Sequence, residues 1–479
     1  MTKRATRSPT LTTRREPRLG FVLAIVSAGW MLATIDLFIV NIAFPTLQRS
    51  FHGAHLSTLS WVLNGYTIVF AALLVPAGRL ADRTSLKRSF LAGVAVFTLG
   101  SALCAAANGV GVLIVARVVQ ATGAAVMVPC SLGLLLAAFP AERRLGAVRL
   151  LAAMGGLSAA GGPVLGGLLL SVDWRWIFLI NLPIGGATFL FGSRLLPAPP
   201  PLEEPFPDLI GALLLMAAVA SLTLGLVEAP DWGWSSASAL GSLMGSIVLL
   251  TVFIARSTRH PHPVVEHGLL RVRTFALSTL ALLLFSTSFA TLLLSILLWT
   301  QTVWGWSALR TGLAFAPGPL MVPLFSIGAG KLAPRVGAGT LGLLGCVSFA
   351  AAGIVWALAI GLHIDYAAAM LPGTLLTGVG VGLTLPTLTA AATSSLPRER
   401  FATGSAVINM ARQIGFTLGV AVLVAVLGKP DTPGQHLAAY QHAWAVGAGL
   451  AFAAAVISAL LIRRPQHTPA LQPVTERTC

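Results

Sequence analysis

Three charged side chains fall well inside long apolar runs of this chain: Asp36, Arg117 and Arg412. An ionisable group at bilayer depth is expensive unless it is paired, so such a group marks a functional site by default. Asp36 is the one acid placed well inside any run. Burial favours its neutral form, and a neighbouring guanidinium favours its carboxylate. A carboxyl group balanced in this way can take up a proton on one side of a membrane and release it on the other. The chemistry indicated is proton coupling, with Asp36 as first candidate.

Depth supports a pairing. Asp36 lies nine residues from the outer end of its run and Arg117 about seven from the outer end of its own. At about 1.5 Å per residue those distances are about 13 and 10 Å, so the two can be neighbours. Gln120, one turn beyond Arg117, can hydrogen-bond the same cluster. A static ion pair locking two helices is the competing reading. Arg412, with Asn409 and Gln413 beside it, is a basic site without an acid. It either faces an anionic group across a cavity or pairs with backbone carbonyls.

The runs that position these groups define the fold class. The chain is 56% hydrophobic and 10% charged, where a soluble domain carries about 25% charged residues. Apolar runs of twenty or more residues without alternation read as membrane helices rather than barrel strands. Fourteen spans are expected, at about 20–44, 57–78, 89–108, 110–137, 146–170, 175–195, 207–228, 236–256, 274–299, 308–330, 338–361, 367–392, 402–427 and 440–462. Of the 31 Lys and Arg residues, 25 then fall on the side of the N-terminus, 4 on the opposite side and 2 within spans. By the positive-inside rule both termini are cytoplasmic.

The net charge of +16 sits in short loops, so a nucleic-acid partner is not expected. Cys104, Cys130, Cys346 and Cys479 show no paired spacing and read as small apolar filler. The pairs His52/His55 and His260/His262 lie in loops without acid clusters, so no metal is expected. No phosphate-binding glycine loop is present, which argues against ATP drive and leaves no cofactor to expect. The stretch after the basic residues 1–18 is too long for a signal-peptide core and reads as a first span.

The expected architecture is an all-α membrane protein of fourteen helices, with two pseudo-symmetric six-helix bundles and two inserted helices. A basic segment 1–19 precedes an N-terminal bundle 20–195. A Pro-rich linker 196–206 follows, then a two-helix insert 207–256 and a second linker 257–273. The C-terminal bundle is 274–462 and the tail 463–479. Weak repetition supports two halves: Gly78-Arg79-Leu80-Ala81-Asp82-Arg83 follows the second span, and Gly330-Lys331-Leu332-Ala333-Pro334-Arg335 the tenth. Duplicated bundles around a central site are a common transporter plan. No role for the insert follows from its residues.

Motifs follow in order. Asn41 and Pro45 follow Asp36, and Asn64-Gly65-Tyr66 lies in the second span. Arg117-Val118-Val119-Gln120 lies in the fourth, Gly161-Gly162-Pro163-Val164-Leu165-Gly166-Gly167 in the fifth, and Trp174-Arg175-Trp176 opens the sixth. Gln301 with Gly305, Gly312-Leu313-Ala314-Phe315-Ala316-Pro317, and Asn409-Met410-Ala411-Arg412-Gln413 continue the series. In order and spacing, over about residues 20–462, the chain resembles the major facilitator superfamily, in particular its fourteen-span drug:proton antiporters.

That resemblance implies roles. Gly162, Pro163, Gly166 and Gly167 form the glycine run associated with antiporters. Physically, small residues allow close helix contact and Pro163 bends the helix; a plain packing face is the competing reading. Gly78, Asp82 and Arg83 match the family's gating loop, with Asp82 expected at the helix N-terminus near Ala402 and Thr403. Ser85 and Leu86 depart from that pattern. Asp36 and Arg117 would serve proton coupling. Asn41, Tyr66, Gln120, Gln301, Asn409, Arg412 and Gln413 would line a substrate cavity. The expected protein is no enzyme. It is a proton-coupled, monomeric exporter of small amphipathic drugs in the cytoplasmic membrane, or else a dedicated exporter of one self-made metabolite or antibiotic. An uncoupled facilitator is a weaker rival.

Overall fold

The computed structural model describes residues 19–52, 54–201, 206–397, 400–429 and 432–462, and the described residues are almost entirely helical. The expected segments 1–19 and 463–479 lie outside them apart from Leu19. The first half contains Leu19–Ile42 (α1), Phe44–Ser50 (α2), Leu56–Arg83 (α3), Leu86–Ala105 (α4), Val110–Ala138 (α5), Ala141–Leu170 (α6), Trp176–Leu179 (α7) and Asn181–Leu195 (α8). Leu209–Trp232 (α9) and Ala237–Arg259 (α10) form the insert. After His267–Arg271 (α11) come Arg273–Thr302 (α12), Ala308–Phe315 (α13), Pro317–Val336 (α14) and Ala338–Ala359 (α15). A π-helical turn, Tyr366–Met370, leads into Leu371–Ser394 (α16), Phe401–Leu427 (α17) and Pro433–Ala459 (α18).

Among the described residues, 13 helical stretches are long and apolar enough to cross a membrane. The expected fifth span corresponds to α6, of which Gly161–Leu170 is an apolar segment among the described residues. Helix ends follow local chemistry. Ser85 accepts a hydrogen bond from the Arg88 N–H and caps α4, a reason for serine at this departure from the family pattern. Thr432 and Gln435 close a reciprocal capping box on α18. Gly337 adopts φ +82° between α14 and α15, a conformation costly for any residue with a Cβ.

In the first half, α5 packs on α1, α3 and α4, and α1 also on α6 and α8. In the second, α12 packs on α16, α17 and α18, and α15 on α16 and α18. The halves meet along α3 and α17 and where α6 meets α13 and α14. Thr417 Oγ1 donates to Thr67 Oγ1 at 2.6 Å across the first of these seams. The insert does more than pair with itself: α9 lies against both α3 and α17. At its C-terminal end Asp231 accepts from Ser57 at 3.3 Å and pairs with Lys429 at 2.6 Å. At its start Asp208 caps α9 and pairs with Arg256 of α10 at 2.9 Å.

Candidate functional site

Asp36 is buried in the first half, and Arg117 and Gln120 are fully enclosed. Arg117 Nη1 contacts Asp36 Oδ2 directly. The other carboxylate oxygen, Oδ1, accepts from Gln120 Nε2 at 2.8 Å and from Asn181 Nδ2 at 3.3 Å. Arg117 Nη1 also donates to Gln120 Oε1 at 2.7 Å, and its Nε to the Val62 carbonyl at 3.1 Å. The guanidinium lies 4.1 Å from the centre of the Tyr66 ring, within cation–π range. Ser101 accepts from Asn181 at 2.9 Å and from Gln120 at 3.2 Å and donates to the Phe178 carbonyl at 3.0 Å.

Every donor around Asp36 stabilises the carboxylate. Its oxygens join α1 to α5 and α8, and Arg117 and Ser101 extend the network to α3, α4 and α7. A proton on Asp36 cancels the charge that holds Arg117 and frees a buried guanidinium to seek another partner. The arrangement can therefore convert one protonation event into movement among several helices.

The other expected site residues divide. Tyr66 belongs to the Asp36 group. Asn41 turns back on its own helix, donating to the Leu37 carbonyl at 2.6 Å. Gln301 donates to the Ile42 carbonyl at 3.2 Å and so links α12 to the end of α1. Asn409, Arg412 and Gln413 form a separate group on α17. Arg412 Nη1 is 3.5 Å from Asn409 Oδ1, and Asn409 donates to the Ser405 carbonyl at 3.0 Å.

The glycines of α6 sit at contacts. A Cβ on Gly162 would meet Phe38 Cβ at 2.6 Å, and one on Gly166 would meet Ile42 at 2.9 Å. On Gly167 it would lie 2.6 Å from the Ala308 carbonyl oxygen of α13. The Pro163 carbonyl faces Gly312 of the same helix. Gly78 is less tight, with Pro129 at 3.4 Å. Arg83 lies over the Phe206 ring at 5.8 Å. Of the segment expected beside Asp82, the side chain of Ala402 lies outside the described residues.

Asn181, Ser101 and Arg79 join these contacts without being among the expected site residues. Asn181 had a usable signal: a lone amide six residues into its apolar run, about 9 Å deep and near the level of Asp36. Ser101 had none, because single serines are common in membrane helices. Arg79 binds the linker, donating to the carbonyls of His262 and Pro263 at 3.2 and 3.0 Å and pairing with Glu266 at 3.1 Å.

The sequence pattern of the Major Facilitator Superfamily matches residues 26–420. The chain belongs to that superfamily. Its members are transporters rather than enzymes, and this member is a multi-pass membrane protein. The superfamily member is 31% identical to the methylenomycin A resistance protein of Streptomyces coelicolor over 96% of both chains. It is also 31% identical to the tetracenomycin C resistance and export protein of Streptomyces glaucescens, over 84% of this chain and 74% of that one. The crystal structure of an auto-inhibited POT-family peptide transporter superimposes with a TM-score of 0.67 at 17% identity, covering 94% of this chain and 98% of that one. That likeness concerns the fold alone.

Proposed function

We propose that this superfamily member is a proton-driven exporter of small, amphipathic, toxic molecules across the cytoplasmic membrane. The observation that carries the reading is the enclosed Asp36–Arg117 pair with Gln120 and Asn181 on its second oxygen. A group of this cost inside a membrane helix suits a proton site, and the relatives named for antibiotic resistance and export support outward transport. The termini face the cytoplasm, and the working unit is a single chain with no cofactor. The two bundles, 20–195 and 274–462, rock about a central site.

In the proposed cycle, the deprotonated protein, open to the cytoplasm, takes substrate from that side or the inner leaflet. The bundles rock and turn the site outward. A proton from outside reaches Asp36, releases Arg117 from its pairing, displaces the substrate and returns the transporter. The α6 glycines supply the surface that slides against α1 and α13, and Gly78, Asp82 and Arg83 gate the cytoplasmic end. One proton crossing about 150 mV supplies about 3.5 kcal/mol, enough for roughly a 300-fold gradient of a neutral substrate.

A narrower reading, a dedicated exporter of one antibiotic, draws on relatives named for single compounds. Expression in a drug-sensitive host separates the two. Protection against many unrelated lipophilic compounds supports the multidrug reading, and protection against one class supports the dedicated exporter. In either case Asp36→Asn abolishes protection while the protein remains in the membrane.

A further inference from the structure

The second half of the chain holds a partly buried cation, Arg412, with no carboxylate partner among the described residues. Arg412 lies near the middle of α17, and between Glu266 and Asp365 and between Glu399 and Asp431 the sequence contains no acid. The spans around Arg412 thus bring no carboxylate to bilayer depth. Among the described residues no acceptor lies within hydrogen-bond reach of its Nε, which is shut off from the surface. Its Nη1 lies 3.5 Å from Asn409 Oδ1, at the limit of a hydrogen bond. Among the described residues no backbone carbonyl accepts from it. Beside it, the enclosed Gln413 Oε1 also has no partner among the described residues.

Helix geometry places this group at the junction of the halves. Gly415 and Gly419 turn toward α12, where a Cβ on either would meet backbone atoms of Leu283 or Thr287. Thr417 turns the other way, toward Thr67 of α3. At 3.6 residues per turn, Asn409, Gln413 and Phe416 fall on the face between those directions, with Arg412 at its edge. Phe416 meets Phe289 at 5.5 Å between ring centres, and Phe289 meets Phe38 of α1 at 6.2 Å. That face of α17 therefore looks across the seam toward the first half. Arg412 is five residues from Thr417, so it lies about 7 Å along the axis from the Thr67–Thr417 contact.

We infer that Arg412 is the anchor for an acidic group on the substrate, with Phe416, Phe289 and Phe38 as the wall for its apolar body. The transported class is then amphipathic aromatic acids carrying a carboxylate or an equivalent anion, rather than organic cations. A guanidinium is suited to this because its planar fork matches a carboxylate with two parallel hydrogen bonds. Gln413 provides an acceptor for a neighbouring hydroxyl or amide of the substrate. The inference rests on the exporter reading for its central site but not on where the proton binds.

The test is calorimetric binding to the purified full-length protein in detergent near neutral pH, with no proton gradient. The probes are naphthalene, biphenyl and anthracene carboxylates, each with its methyl ester and its trimethylammonium analogue. Wild type binds the carboxylates at least about ten-fold more tightly than their esters, the effect of one charge-assisted pair. Arg412→Gln brings acid and ester within about two-fold, with ester affinity retained as the control for folding. Arg412→Lys recovers part of the preference. Equal binding of acid and ester to wild type, a preference for the ammonium probes, no binding of any carboxylate, or a preference that survives Arg412→Gln overturns the assignment. Asp36→Asn keeps the acid preference. A misplaced coupling site and a misplaced anion site thus give different results.

Discussion

Gln120 Nε2 of α5 donates to Asp36 Oδ1 of α1 at 2.8 Å, on the carboxylate oxygen that Arg117 does not occupy. The amide thus completes the stabilisation of the charged acid. Replacing it with an apolar side chain removes a bond to a charged group, a change worth about 1.5–3 kcal/mol. Gln120→Leu is expected to lower substrate-triggered proton release in proteoliposomes at least about ten-fold. Asn181→Leu acts in the same direction and more weakly, because its bond is longer at 3.3 Å. Unchanged release in Gln120→Leu would show that the amide does not act through the acid.

The α6 glycines are expected to be intolerant of bulk for a positional reason. A Cβ on Gly167 would lie 2.6 Å from the backbone oxygen of Ala308, which cannot rotate away. Gly167→Leu therefore prevents α6 and α13 from closing on each other. Transport falls at least about five-fold, since overpacking costs about 1–3 kcal/mol, while protein abundance in the membrane is kept. Gly161→Leu, where a Cβ meets nothing, is the control. Equal loss in both variants would point to a general folding defect.

The joint between the two insert helices carries a pH signature. Burial alone pushes the Asp208 carboxyl up, but hydrogen bonds from Arg256 and the Gly211 N–H, with the charges of His260 and Arg256, outweigh it and hold it below the usual carboxylate range. A depressed folded-state value gives stability that is complete above the unfolded value and is lost as pH falls through the folded one. Asp208→Asn is expected to lower stability by about 1–3 kcal/mol at neutral pH. The gap to wild type closes only below the ordinary carboxylate range of about pH 4. Thermal melts of both proteins across pH measure this, and a gap that widened on acidification would contradict it.

Arg79 ties the end of α3 to the linker through two carbonyls and Glu266. Arg79→Ala releases that tether. Limited proteolysis within 257–273 is expected to speed up about three- to ten-fold, in line with losing bonds worth about 1 kcal/mol. An unchanged rate would mean that the linker is held by other contacts.

Much of this organisation was legible because charge in an apolar run is conspicuous. Asp36, Arg117 and Gln120 stood out by type and depth, and the structure places them in one network. Helix bounds drifted where polarity changed without a helix ending. The second span continues past Gly78 to Arg83, and the first insert helix runs past Glu228 to Trp232, because a helix continues readily into water. The role of α9 between α3 and α17 was not legible, since its contacts are long-range and made by ordinary apolar residues. Gln301 bonds the Ile42 carbonyl and so links α12 to the end of α1. A single amide cannot declare from sequence which helix it will reach.

The most direct test is proton release from purified protein in liposomes on addition of lipophilic substrates, comparing wild type with Asp36→Asn. Substrate-triggered proton movement is expected in wild type and none in the variant when both are reconstituted in equal amount. Equal proton movement in both proteins would contradict it and place the coupling group elsewhere in the membrane.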